Sequence, residues 1–154
     1  MPRARLFLDS SALFAGIISA DGAARALLLL GELGQIDLLI SEQVLAETER
    51  AVARKVPAAL PALREAIRLS GAQILRDPPP ADVHAAAGWI SHPPDVPILV
   101  AARLAQVDFL VTLNRRHFLA DPRVAARSGL RLGTPGDALA WVRERLATDA
   151  APSP

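Results

Sequence analysis

Short apolar runs recur along the chain, and each ends on a polar residue that opens a helical pattern. Leu6-Phe7-Leu8 gives way to Asp9, Leu38-Leu39-Ile40 to Ser41, and Phe109-Leu110-Val111 to Thr112. An apolar run without polar alternation is a strand buried on both faces. Strands of that kind, separated by helices, demand a mostly parallel sheet covered on either side: an α/β fold in three layers, α/β/α. The pattern predicts strands over 5–8, 37–40, 73–75, 109–112 and 130–132. Between and after them it predicts helices over 10–18, 23–33, 42–55, 57–69, 81–90, 95–105, 123–127 and 135–146.

Boundary residues support that division. Ser10 or Ser11 can cap the first helix, with Asp9 as a competitor, and Asp21-Gly22 ends it. Gly34 stops the second helix, Ser41 caps the third, and Asp95 precedes the sixth, where Pro97 is tolerated in the first turn. A length of 154 residues fits one domain, expected over 1–148, with a frayed tail over 149–154.

Charge and composition narrow the function. The net charge is +1, from 17 basic and 16 acidic residues, which excludes a protein that coats nucleic acid by bulk charge but not one with a local basic groove. The chain has no cysteine, which removes disulfides, thiolate metal sites and cysteine nucleophiles. Aromatic residues make up 4%, too few for a stacking platform on single strands. No apolar run approaches the roughly 18 residues of a membrane span. Arg3 and Arg5 before Ala12 to Ala20 have the outline of a secretory leader, but Asp9, Ser10 and Ser11 interrupt it, and a buried strand ending at Asp9 accounts for the same residues. No glycine-rich phosphate loop and no G-x-S-x-G elbow is present.

In a parallel α/β sheet, ligands bind beyond the carboxyl ends of the strands. That rule selects Asp9, Ser10, Ser41, Thr112 and Asn114. Asp95 and Glu47 are the acids on neighbouring elements. If Asp9, Glu47 and Asp95 converge, they cannot all remain ionised without a cation, and Mg²⁺ or Mn²⁺ with oxygen ligands resolves the repulsion. Such a centre can activate water and offset charge developing on a phosphate. Local sequence alone favours a plain N-cap for Asp95. Glu47 and Glu49 flank the apolar face Val44, Leu45, Thr48 and Val52 on opposite sides, so helical geometry does not choose between them.

Leu6-Phe7-Leu8-Asp9-Ser10-Ser11-Ala12-Leu13, Ile40 to Glu47, Asp95 to Ala102 and Asp108 to Asn114 succeed one another in an order that resembles the PIN-domain ribonucleases, VapC-like toxins among them. Leu132-Gly133-Thr134-Pro135 before a helix is similar to the family's closing strand and helix. The resemblance implies a three-layer fold, metal-dependent cleavage of RNA, and Glu47 rather than Glu49 as the second acid. It implies Asp9, Glu47 and Asp95 as catalytic residues and metal ligands, with Asn114 as a fourth ligand where the family often carries an aspartate. Ser10 and Thr112 are expected to support the acids, and Arg115, Arg116 and His117 to meet phosphates at the rim. His84 and His92 show no metal spacing and are given no role. The expected protein is a cytoplasmic Mg²⁺- or Mn²⁺-dependent endoribonuclease, the toxin of a toxin–antitoxin pair restrained by its antitoxin, with a homodimer also implied. The alternatives are an RNA-processing nuclease without an antitoxin and an inactive α/β binding module whose acids are only caps.

Overall fold

β1 (Ala4–Leu8) runs through the middle of a five-stranded, all-parallel sheet in the computed structural model, which describes residues 2–150. β2 (Ile36–Ser41) and β3 (Gln73–Leu75) extend the sheet on one side, and β4 (Phe109–Val111) and β5 (Leu132–Gly133) on the other, in the order β3-β2-β1-β4-β5. Leu6 pairs with Leu38 on one side and with Phe109 on the other.

Right-handed crossovers fix the layers. Moving from β1 to β2 to β3 carries α1 (Ser10–Ile18), α2 (Ala23–Glu32), α3 (Glu42–Lys55) and α4 (Leu60–Ser70) over one face, where they pack on one another. The return to β4 and β5 reverses direction, so α5 (Pro80–Ala85), α6 (Val96–Leu104) and α7 (Arg123–Ser128) fall on the opposite face. α8 (Pro135–Ala150) crosses back and packs on α2. With both faces covered, Leu6, Phe7, Leu39 and Leu110 are fully buried, and each such side chain is worth about 1.5–3 kcal/mol.

Several boundaries differ from the sequence reading. Asp9, not Ser10 or Ser11, caps α1: its carboxylate accepts from the Ala12 N–H at 2.9 Å. α5 stops at Ala85 instead of Ile90, and its last carbonyls bond the Ala86 and Ala87 amides in tightening turns. β5 lies at 132–133 and not 130–132, because Gly129 ends α7 in a left-handed conformation and pairing with β4 begins only at the Arg131 carbonyl. A side chain at Gly133 would stand 2.8 Å from Phe109 Cζ, so glycine is what lets β5 close on its neighbour. α8 continues beyond Leu146 through Asp149 and Ala150, and the rest of the expected tail, 151–154, lies outside the described residues. Among the described residues no single helix is long and apolar enough to cross a membrane.

Candidate active site

The chain leaves β1 toward β2 but later enters β4 on the other side, so β1 and β4 are the neighbours between which the winding reverses. In open α/β sheets ligands bind at such a reversal, beyond the carboxyl ends of the strands. Asp9 and Thr112 occupy those two ends, joined by a bond from the Asp9 N–H to the Val111 carbonyl at 3.0 Å.

Asp9 is buried, and three donors hold its carboxylate. Oδ1 accepts from Ser11 Oγ at 2.7 Å and from the Ala12 N–H; Oδ2 accepts from Thr112 Oγ1 at 2.5 Å. Each hydroxyl spends its single proton on Asp9 and accepts a backbone N–H in return, Ser11 from Leu113 at 2.9 Å and Thr112 from Asn114 at 3.0 Å. The β4 end thereby clamps the β1 carboxylate. Ser10, the expected supporting residue, opens α1 half-buried; the neighbouring Ser11 does that work. A carboxylate has about four lone-pair sites, so three bonds leave Oδ2 one unused. Burial raises the Asp9 pKa above the usual carboxylate range, the three donors oppose it, and the Asp95 charge adds to the rise.

Asp95 is not the N-cap that local sequence favours. Its backbone is helical (φ −90°, ψ −12°), it ends a 3₁₀ turn over Pro93–Asp95, and its side chain caps nothing. An N-cap needs extended backbone to turn its oxygen onto the first helical amides. The carboxylate instead accepts from His92 Nδ1 at 2.8 Å, with His117 Nδ1 3.4 Å from the same oxygen, Oδ2. The two imidazoles stack with centroids 4.1 Å apart. Burial raises the Asp95 pKa, His92 and His117 counter it, and the Glu47 charge raises it further.

Glu47 reaches the cluster through Gln43, one turn earlier on α3. Gln43 Nε2 donates to Glu47 Oε1 at 2.9 Å and to the Pro94 carbonyl at 2.8 Å, tying α3 to the turn that presents Asp95. Among the described residues no such contact involves Glu49. Among them, though, the three candidate ligand side chains whose donor atoms lie within 4.8 Å of one another are His92, Asp95 and His117, not Asp9, Glu47 and Asp95.

Asn114 opens a widened helical turn over Arg115–Leu119, closed by a bond from the Ala120 N–H to the Arg115 carbonyl at 2.7 Å. Turns of this kind are frequent at functional sites. Its Oδ1 accepts from the His117 N–H at 3.0 Å, and Nδ2 stands 3.3 Å from His117 Nδ1. The Asn114 side chain is therefore engaged with His117 rather than with the acids. Arg115 and Arg116 are exposed on the same turn. Arg115 and Leu113 border a cleft of about 340 Å³ that runs between the α1–α2 break and Thr134–Gly136. His92, given no role from sequence, and His117, expected at the rim, both prove to bind Asp95. The His-Pro-Pro-Asp run is the local sign of the first; nothing in spacing links it to the second.

Comparison with known proteins agrees with this arrangement. The PIN domain family matches residues 5–116. No curated protein sequence matches the chain. Among solved structures, PAE2754 from Pyrobaculum aerophilum is similar with a TM-score of 0.63 at 19% identity, over 92% of this chain and 90% of that one. VapBC2 from Rickettsia felis, bound to a DNA fragment from its promoter, is similar with a TM-score of 0.59 at 22% identity, over 84% of this chain and 98% of that one. Mycobacterium tuberculosis VapC20, described as a sarcin–ricin loop cleaving toxin, is similar with a TM-score of 0.54 at 20% identity, over 72% and 91%. At such identities the structures speak for the fold alone. The family match covers most of the chain and carries β2, β3, β4 and all but the first residue of β1, with Asp9, Glu47, Asp95 and Thr112 within it, and on that ground the chain belongs to the PIN domain family.

Proposed function

We propose that this chain is a divalent-cation-dependent endoribonuclease and the toxin of a toxin–antitoxin pair. The observation that carries the reading is the placement of acids where the sheet's winding reverses: Asp9 ends β1, and Gln43 ties Glu47 to the Pro94 carbonyl beside Asp95. Two of them, Asp9 and Asp95, are buried, where an ionised carboxylate is stable only with hydrogen bonds or a counter-charge. Their oxygens suit a hard dication, Mg²⁺ or Mn²⁺. Bound there, the ion would supply the positive charge that a phosphodiester needs as it is attacked by water.

The chain's own residues prepare that site. Ser11 and Thr112 hold Asp9 against rotation and leave one lone pair of Oδ2 without a donor among the described residues. His92 holds Asp95 through Oδ2 and leaves Oδ1 without a protein partner among the described residues. Gln43 sets the distance between α3 and the Asp95 turn and presents Glu47. We assign Asn114 to holding His117, not to the metal. Arg115, exposed beside the cleft, is placed to meet the phosphates that flank the scissile bond, and Arg116 extends the same positive edge. The similarity to VapBC2 and VapC20 supports an antitoxin as partner and RNA as substrate. Leu29 on α2, Leu33 just after its end and Leu69 on α4 are exposed apolar contacts for such a partner. Arg25, Glu32 and Glu65 line the cleft between the same two helices, so it is mixed in character rather than wholly apolar.

The test is cleavage of RNA by the purified chain. Chelator is expected to abolish it and Mg²⁺ or Mn²⁺ to restore it. Asp9→Asn, Asp95→Asn and Glu47→Gln are each expected to lose activity while remaining folded, and Glu49→Gln to keep it. Cleavage that survives chelation, or that survives Asp9→Asn and Asp95→Asn, overturns the reading.

A further inference from the structure

We infer that the cleft between the α1–α2 break and the start of α8 is the base-selecting subsite of this nuclease, and that it takes a guanine flanking the scissile phosphate, read by Asp21. The inference rests on the ribonuclease reading above and adds a substrate preference to it.

Position is the first argument. Leu113, which borders the cleft, directly follows Thr112, whose hydroxyl holds Asp9. Ser11 Oγ donates to Asp9 and accepts the Leu113 N–H at 2.9 Å, so one serine fixes both the acid and the near wall of the cleft. A nucleotide adjoining a phosphate at Asp9 therefore has the cleft beside it. The volume of about 340 Å³ falls within the roughly 300–1,000 Å³ of small-molecule sites.

Shape is the second. α1 and α2 meet at 88°, and Gly22 turns the chain between them at φ 99°, a conformation that favours glycine. Ala15, Ala23, Ala24 and Pro135 line the cleft with little side chain, and Leu113 stays 43% exposed beside them. Small apolar walls leave room for the flat face of a base, with a few polar groups to read its edge.

Charge decides which base. The cleft carries one cation and one anion, Arg115 after β4 and Asp21 at the α1–α2 break. Among the described residues neither is in an ion pair. Asp21 is exposed, and its carboxylate has only a 3.4 Å contact with Ser19 Oγ, whose proton goes to the Asp21 carbonyl at 2.5 Å. A phosphate meets Arg115 but is repelled by Asp21, whose two oxygens call for a pair of donors. Guanine alone among the four RNA bases sets two donors side by side on its Watson–Crick edge, N1–H and N2–H. Adenine, cytosine and uracil each turn at least one lone pair toward the carboxylate. Unstacked bases of single-stranded RNA are read on that edge.

The experiment uses the full chain and single-stranded oligouridylates carrying one central guanosine, or inosine, adenosine or cytidine in its place. Binding is titrated by fluorescence anisotropy without dication, and cleavage is then mapped with Mn²⁺. The parent is expected to favour guanosine over adenosine roughly tenfold or more in both measurements, with inosine, which lacks the N2 amine, between them. Asp21→Asn sets a donor beside an acceptor and is expected to erase the preference. Gly136→Leu is expected to erase it by bulk at the cleft wall, where an added Cβ meets only Thr134 Oγ1 at 3.7 Å. Metal-dependent cleavage by the parent without preference for guanosine, a comparison that needs no variant to fold, overturns the inference and leaves the nuclease standing. A preference that Asp21→Asn leaves intact overturns it in the same way. Guanosine-selective binding without metal-dependent cleavage supports the cleft and overturns the nuclease reading. Neither binding nor cleavage of any oligomer overturns both.

Discussion

Thr112→Val isolates the contact that holds Asp9 in place. Thr112 is fully buried, and valine keeps its shape while deleting the hydroxyl that donates to Asp9 Oδ2 at 2.5 Å and accepts the Asn114 N–H at 3.0 Å. A hydrogen bond to a charged group is worth about 1.5–3 kcal/mol. The Asn114 amide is only half-buried, so water can reach it and the further loss is roughly 1 kcal/mol. The variant is expected to be less stable by roughly 2–4 kcal/mol, a fall in Tm of roughly 5–15 °C for a domain of this size. The pH dependence is more diagnostic than the size. Asp9 already has a raised pKa because burial outweighs its donors, and Thr112 is the largest of those donors. A carboxylate whose folded pKa lies above its unfolded value costs stability as pH rises through the folded pKa. Removing Thr112 raises that pKa further, so the gap between variant and parent widens from acid to neutral pH. Thermal melts of the metal-free protein across that range, with Thr112→Ser as the variant that keeps the hydroxyl, provide the measurement. A Thr112→Val protein as stable as the parent at neutral pH, or a gap that does not change with pH, refutes the reasoning.

Asp95→Asn separates catalysis from folding: we expect cleavage to fall by roughly 10²-fold or more, while the metal-free Tm at neutral pH stays level or rises, because a buried acid with a raised pKa and its repulsion of Asp9 are both removed. A large loss of metal-free stability at neutral pH would restore the simple capping role. Arg115→Ala should weaken RNA binding and lower the slope of log affinity against log salt by about 0.7, the share of one phosphate contact on a single strand, as read by titration at several salt concentrations; an unchanged slope places Arg115 off the RNA path. Gly31→Ala tests the seat of α2 on the sheet: the added Cβ falls 2.7 Å from Leu38 Cδ1 and 3.2 Å from the Ser70 carbonyl, so a loss of about 1–3 kcal/mol in denaturant melts is expected, with specific activity unchanged.

Strand identity and strand order belong to different levels of information. Leu6-Phe7-Leu8 and Phe109-Leu110-Val111 announce buried strands from composition alone, because only a strand covered on both faces tolerates such runs. The same logic places Asp9 and Thr112 at strand ends, and the order of the acid-bearing segments carries the family. Periodicity states which face of an element is buried, and chain order states the succession of elements; neither states how far apart two elements lie. Glu47 and Glu49 are therefore equivalent on helical geometry, and what sets Glu47 apart is Gln43 reaching across to the Pro94 carbonyl. Asp95 carries the local signature of a cap, and only its helical backbone and its two histidine neighbours remove it from that role. Ser11 rather than Ser10 supports Asp9, because the first turn of α1 aims Ser11 at the end of β4. His92 and His117 meet because α6 and β4 return the chain to the same end of the sheet, a closeness made by packing between residues distant in sequence and therefore written in no local pattern.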